Sequence, residues 1–393
     1  MSLFAETLPV ETGTGLQGQP NARIGIEVEM EHVADSVWDQ RIGGFADVCP
    51  EQLATFARAR WPAVVLEPVI FSLDGKVVGG CLVMVQRLPL GVGTIAVAKW
   101  GPMLAEAGRP DAMALYAGMI ECLIDHFAVE RRMMLSVMPH AAPTLGNPQF
   151  DHLMARGFHT GAGFAFPDRY IVKVRLSDEE QRKSLEQKWR YNLNKAEKAG
   201  LSFERAEADR LGEFDALYEA MTDRKKFPDY SAYDTVPALF AIENPVLRPE
   251  LFFVRAAGEV VGGAIVFKAG QRAVYLYGAT VAKALDLRAG YFLQWHILRW
   301  LRDNTAAEWY DLGGTDGFHG LHQFKKGMVG SAGLIRPIPP TANYAAYRLP
   351  FMLGEAAFAA RELVHVAKHM VDRLRADRAK PDQKADHKQD SAQ

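Results

Sequence analysis

The chain has 393 residues, enough for two or three domains, and 49% of them are apolar, which excludes a largely disordered polypeptide. Its 45 basic and 47 acidic side chains leave a formal charge of −2, so an overall basic surface is excluded and any nucleic-acid contact must come from a local patch. Cys49, Cys81 and Cys122 stand far apart without a CxxC pair, which points to small buried hydrophobes in a reducing compartment and to no metal site.

The N-terminal Met-Ser-Leu-Phe-Ala-Glu-Thr lacks the basic and apolar regions of a signal peptide. No run of the ~18 apolar residues that a spanning helix needs is evident, so a cytoplasmic protein is expected. Residues 1–22, rich in Gly, Thr and Gln, form a loose N-terminus. A first domain is expected over 23–168. Its strands are Ile24–Met30, the pair Val64–Phe71 and Lys76–Gln86 around Leu73-Asp74-Gly75, Thr94–Ala98 and Met133–Val137. Its helices are Glu51–Arg60, Asp111–Phe127 and a short one closed at Gly157.

The same order returns in the second half of the chain, with a second domain expected over 169–340. Thr160–Phe166 and Tyr170–Val174 are expected as strands, Ser177–Ala199 and Leu211–Lys226 as helices. Val260–Phe267 and Arg272–Tyr277 follow as strands, Leu287–Asn304 as a helix, and Trp309–Leu312 as a strand ending in Gly313-Gly314. A basic loop, Gly320–Gly327, comes next, and a lysine-rich loop after a strand end suits anionic substrates. Gly75-Lys76-Val77-Val78-Gly79-Gly80 matches Gly258-Glu259-Val260-Val261-Gly262-Gly263, each entering a long apolar strand, which indicates tandem related domains. The fold class is therefore α/β (α+β), with two mixed sheets flanked by helices. Residues 341–378 are expected as a C-terminal helical segment, Ala345–Arg378, interrupted near Pro350, and 379–393 as a disordered tail. Its plainer role is packing on a domain; its apolar stripe with Arg361, Lys368, Arg373 and Arg375 also suits a membrane surface.

The helical stretch Lys188–Gly200 sets Leu185, Trp189, Leu193 and Ala196 on one side and Arg190, Asn194, Lys195 and Lys198 away from it. This is either a solvated basic face or, through Arg190-Tyr191-Asn192, a holder of phosphate or RNA backbone. That segment resembles the start of the second domain of the FemABX aminoacyltransferases. So do Tyr275-Leu-Tyr277-Gly278-Ala279, Leu293–Ile297, Tyr310–Gly314 and Phe324-Lys325-Lys326-Gly327, together spanning 180–330. The first half is similar more loosely, through Gly101-Pro102, where Trp100 replaces the family's arginine.

The resemblance implies two GNAT-like acyltransferase domains, with transfer of an amino acid from aminoacyl-tRNA to the amine of a peptidoglycan precursor. It implies a catalytic role for Lys325, whose ammonium can neutralise a diphosphate or a developing oxyanion, with Phe324 beside it. It implies further substrate contacts from Arg224, Tyr230, Tyr275 and Tyr277, to which the basic cluster on the helix adds Arg190. Tyr275 and Tyr277, two apart on a strand, are expected to share a face. The place of the coenzyme A phosphate loop reads Asp286-Leu-Arg-Ala-Gly290-Tyr291-Phe292, with a bulky Tyr beside the one glycine, which disfavours acyl-CoA as donor. Asp311 and His296 are better explained as a turn cap and a helix-face residue than as proton carriers. No Ser-His-Asp or Cys-His nucleophile stands out, so direct transfer without a cofactor or metal is expected. The alternatives are an acyl-CoA N-acyltransferase acting on an amino sugar or small amine, and a non-catalytic GNAT pair binding an anionic glycolipid or RNA.

Overall fold

The computed structural model describes residues 26–144, 146–161, 168–225, 232–315 and 318–378. The expected loose N-terminus, the strand over 160–166 beyond Gly161, Tyr230 and the C-terminal tail lie outside them. The first half runs β1 (Glu29–His32), α1 (Asp35–Ile42), α2 (Ala54–Arg60), β2 (Val65–Leu73), β3 (Lys76–Arg87), β4 (Thr94–Lys99), β5 (Met103–Leu104), α3 (Ala112–Leu123), β6 (Met134–Met138), α4 (Pro148–Ala155) and β7 (His159–Thr160). The second half runs β8 (Arg169–Lys173), α5 (Asp178–Ser184), α6 (Gln187–Glu197), β9 (Leu201–Ala206), α7 (Leu211–Lys225), α8 (Val236–Phe240), β10 (Glu250–Ala256), β11 (Glu259–Phe267) and β12 (Arg272–Thr280). It continues through α9 (Lys283–Asp286), α10 (Ala289–Asn304), β13 (Trp309–Asp311), α11 (His319–Val329) and β14 (Leu334–Arg336). Then β15 (Ala342–Tyr344) and α12 (Arg348–Arg378) close the described chain.

The strands form two mixed sheets of matching design. The first has the order β1-β2-β3-β4-β6-β15-β7, with β5 on β3, and the second β14-β8-β13-β12-β11-β10-β9. Each contains one parallel pair, β4 with β6 and β12 with β13, beside an antiparallel hairpin. The hairpin turns repeat in detail. Asp74 and Gly75 (φ 50° and 73°) correspond to Ala257 and Gly258 (φ 50° and 85°), two left-handed residues in a row, the geometry that lets a two-residue turn follow the strand twist. This is the physical content of the repeated Gly-x-Val-Val-Gly-Gly segments.

The C-terminal segment departs from expectation. It opens with β15, which pairs antiparallel with β6 and β7 and so returns the chain to the first sheet. Helix α12 then runs without interruption, because Pro350 stands in its first turn, where no intrahelical N–H is needed. Phe358 anchors it on Ile95 and Met134. The single helix expected over 177–199 is two, α5 and α6, broken where Leu185 and Glu186 take extended backbone angles. The run Ala112–Glu130 is long and apolar enough to cross a membrane, against expectation, yet over half of it is buried (56%) as the core helix of the first half.

One face of the second sheet is covered by α6, α10 and α11 around Trp189, Trp295 and Met328. Its other face divides: part is covered by α7 through Phe214 and Leu217, and part meets the first half. There Trp38, Ile42 and Phe56 of α1 and α2 share a core with Leu239, Phe267, Val274 and Leu276. Fully buried Gln52 braces the first half beside this seam. Its Nε2 donates to Lys99 O (2.6 Å) and its Oε1 accepts from Leu82 N (2.7 Å). Replacing it by Ala leaves two interior backbone groups without partners, so Gln52→Ala should cost about 3 kcal/mol. A lowered urea midpoint at an unchanged denaturant slope is the expected readout.

Candidate active site

Strands β12 and β13 stay paired for only three residues, from Arg272–Trp309 to Val274–Asp311. Beyond Val274, β12 continues to Thr280 paired only with β11, while the chain after Asp311 turns away through Leu312, Gly313 (φ 75°) and Gly314. The register of β12 on β11 slips at this point: Ile265 faces Tyr277 and Val266 faces Tyr275, leaving Leu276 as an extra residue. The bulge reverses the side-chain alternation, so Tyr275 and Tyr277 point to opposite faces, which corrects the expectation that they share one. Tyr275 enters the core under α10, where burial raises its hydroxyl pKa to about 12 despite a hydrogen bond with Gln294. Tyr277 enters an aromatic group with Tyr218 and Tyr233, whose rings stack at 4.0 Å, and stands edge-on to Tyr233 at 5.1 Å. Tyr233, whose hydroxyl donates to Asp215, was not singled out from the sequence.

The segment expected as a basic loop is helix α11. Its two glycines masked a helical pattern in which Leu321, Phe324, Lys325 and Met328 fall at i, i+3, i+4 and i+7. Gly327 is required by packing, since a Cβ there would lie 3.0 Å from the Trp189 ring. Lys325 is consequently buried (7% exposed) and its ammonium donates to Leu312 O (2.6 Å) and Gly314 O (2.5 Å), at the turn where β13 parts from β12. Phe324 points elsewhere. It packs on Tyr291 and Trp189 and lines a hollow of about 390 Å³ with Lys188, His319, His322 and Lys326. Phe324 and Lys325 thus serve different surroundings, and Lys325 does not line that hollow.

A second cavity, also about 390 Å³, lies on the first half where it borders Ala232 of the second. Glu51, Arg60, Trp61 and Lys99 of the first half line it with Ala232 and with Arg361 of α12. Burial lowers the Lys99 ammonium from its ordinary range, opposed by Glu51, and Nζ sits over the Trp61 ring at 5.0 Å. Arg60 reaches Asp234 across the seam (3.8 Å), next to the Tyr233–Tyr277 pair. Arg224 lies further along on α7, its guanidinium donating to Thr280 O at the end of β12 (3.0 Å). Tyr277, Arg224 and this cationic cavity therefore occupy one side of the second sheet, and Tyr275 and Phe324 the other.

Arg190 closes the end of α5 through the carbonyls of Lys183 and Leu185. His296 lies on α10 against Phe203 and Phe292, and burial lowers its imidazole pKa. Asp311 caps the turn by accepting from Gly313 N (2.9 Å) and also takes both contacts of a part-buried pair with Arg169, 3.0 Å to each oxygen. That pair and neighbouring Arg272 were missed. The available signal was alternation: Arg169, Arg272 and Asp311 begin or end short strands on the face opposite Tyr170, Ala273 and Tyr310.

Residues 181–326 match the model of the acetyltransferase (GNAT) domain. No curated protein matches the chain. Among solved structures, FemX superposes with a TM-score of 0.67 at 17% identity, over 83% of this chain and 100% of that one. The C-terminal domain of an Agrobacterium fabrum protein designated a lysylphosphatidylglycerol synthetase superposes with a TM-score of 0.50 at 16% identity, over 82% of this chain and 96% of that domain. The match over residues 181–326 marks the second half as a GNAT acyltransferase domain, and the open parallel pair lies within it. More particularly, the chain has the tandem GNAT fold of the FemABX type.

Because buried Asp311 holds the part-buried Arg169 guanidinium and caps the Gly313 turn, Asp311→Ala should cost about 2–3 kcal/mol by leaving that cation and the Gly313 N–H without their acceptor. Arg169→Met combined with Asp311→Leu should recover most of that loss in thermal unfolding.

Proposed function

We propose that this GNAT-type acyltransferase moves an aminoacyl group from aminoacyl-tRNA to the amine of an anionic acceptor similar to a peptidoglycan precursor. Transfer takes place where β12 and β13 diverge. The observation that carries this reading is the Lys325 ammonium, immobilised on the Leu312 and Gly314 carbonyls at that divergence. A fixed cation there costs no reorganisation when negative charge develops on a reacting carbonyl. The neutral acceptor amine attacks the ester carbonyl, and Lys325 stabilises the oxyanion of the tetrahedral adduct. The adduct collapses with the new C–N bond formed and the C–O bond broken. The proton lost by the amine balances the one gained by the departing ribose oxygen.

The cavity bordering Ala232 suits the acceptor, since Arg60, Lys99 and Arg361 line it with Trp61. Arg224 and the Tyr218–Tyr233–Tyr277 group extend that surface. The donor reading is supported at the start of α10. There Phe324 lies 4.0 Å from where a Cβ on Gly290 would stand, and Tyr291 packs on Phe324, so rings occupy the place where a coenzyme diphosphate would meet backbone N–H groups. Acyl-CoA remains the competing donor, favoured by the acetyltransferase model that residues 181–326 match.

Mass spectrometry after incubation with charged tRNA, or separately with acyl-CoA, and amine acceptors should give product with the tRNA donor; product from acyl-CoA alone overturns the donor. Lys325→Met should lower kcat roughly 100-fold with KM little changed. An undiminished kcat in a folded variant removes Lys325 from the mechanism. Arg224→Ala should instead raise KM for the acceptor by about tenfold.

A further inference from the structure

Burying a guanidinium is costly unless hydrogen bonds and an opposite charge replace its water. Arg272 breaks this rule. It opens β12 on the face that meets the first half, and its Nη1 is buried without a hydrogen-bond partner. Among the described residues no carboxylate forms an ion pair with it. The two acids whose charge acts on it are held elsewhere: Asp311 pairs with Arg169, and Asp47, itself a wall of the cavity that Arg272 faces, accepts from Leu104 N through Oδ2 (3.1 Å). Desolvation consequently lowers the Arg272 pKa, opposed by those acids and reinforced by Arg169.

Arg272 faces a cavity of about 230 Å³ whose other walls belong to the first half: Asp47, Cys49, Trp100, His140, Asn147 and Gln149. His140 has a second buried polar atom without a partner, Nδ1, and its ring lies 4.0 Å from that of Trp100. Burial and the nearby cations Arg272, Arg169 and Lys99 hold this imidazole well below its ordinary pKa. The first turn of α4 borders the cavity, with Asn147 as its cap. Two buried nitrogens without hydrogen-bond partners, one from each half, thus face one cavity in a locally positive setting, which suits an anionic group.

We propose that this cavity binds a small ligand bearing a carboxylate or phosphate group, anchored by the Arg272 guanidinium and bordered by His140 and the start of α4. The site is smaller than the ~300–1,000 Å³ typical for larger ligands, which fits a small acid or a single phosphate group. A long carrier arm has no slot beside it, since β4 and β6 stay paired as far as Lys99 and Met138. Because the anchor comes from one half and the walls from the other, the bound anion fastens the halves together. The proposal is independent of Lys325.

The test is thermal unfolding of the full chain in inorganic phosphate, acetate and succinate, against chloride at equal ionic strength. The wild-type midpoint should rise saturably with at least one oxyanion, and the lower half-saturation identifies phosphate or carboxylate as the group recognised. Arg272→Gln should weaken the response about tenfold or abolish it, and without oxyanion should be no less stable than wild type. Ala142→Phe, which fills the cavity while keeping Arg272, should also abolish the response, whereas Lys325→Met should retain it. The proposal is overturned by equal responses in wild type and both cavity variants, by no response to any oxyanion, or by an Arg272→Gln chain less stable than wild type in chloride.

Discussion

Buried charge at the meeting of the two sheets is the constraint on which the arrangement depends. The Arg169–Asp311 pair lies on the inner face of the second sheet, with Arg169 5.8 Å above the Trp100 ring of the first half and Arg272 close by. Such a cluster is unstable in an apolar seam unless every member is matched, because the lost hydration of each ion is large. Asp311 does double duty by pairing Arg169 and capping the turn that carries the chain away from β12. The geometry of the proposed transfer site and the fit of the halves therefore share one carboxylate.

The two halves repeat a design and differ at one functional point. In the first, the parallel strands remain hydrogen-bonded to their ends, and Trp100 N still donates to Met138 O (2.8 Å). In the second, the bulge at Leu276 and the turn after Asp311 separate the strands, and the Lys325 ammonium meets the freed carbonyls. Sheet edges opened in this way expose backbone groups that must be satisfied by something else. A lysine whose stem packs in the core satisfies two of them and leaves a fixed positive charge at the opening. The first half instead supplies cations and an aromatic wall to the cavity that borders Ala232.

Much of the fold was legible because periodicity and punctuation are local. The Gly75 and Gly258 turns, the apolar runs of β3 and β11, and the amphipathic pattern of α10 each declare their structure within a dozen or so residues. The errors have equally specific causes. Gly320 and Gly327 disguised α11 as a loop, although Gly327 is there to let the helix approach Trp189. The Tyr275–Tyr277 alternation failed because a bulge inserts a residue that only the register with β11 reveals. Strand β15 is three residues long and is a strand solely because β6 and β7 lie ready beside it.

The sequence by itself determined the tandem α/β architecture, the order of elements and the presence of a lysine after the Gly313-Gly314 turn. These follow from hydrophobic spacing and backbone preference, which act between neighbours in the chain. Only the tertiary structure decided that this lysine is held by two carbonyls, that the two tyrosines diverge, and that the Arg272 guanidinium keeps a buried nitrogen without a partner. Those outcomes depend on hydration lost when distant segments close over one another, and no local pattern records which polar groups will be left to satisfy each other.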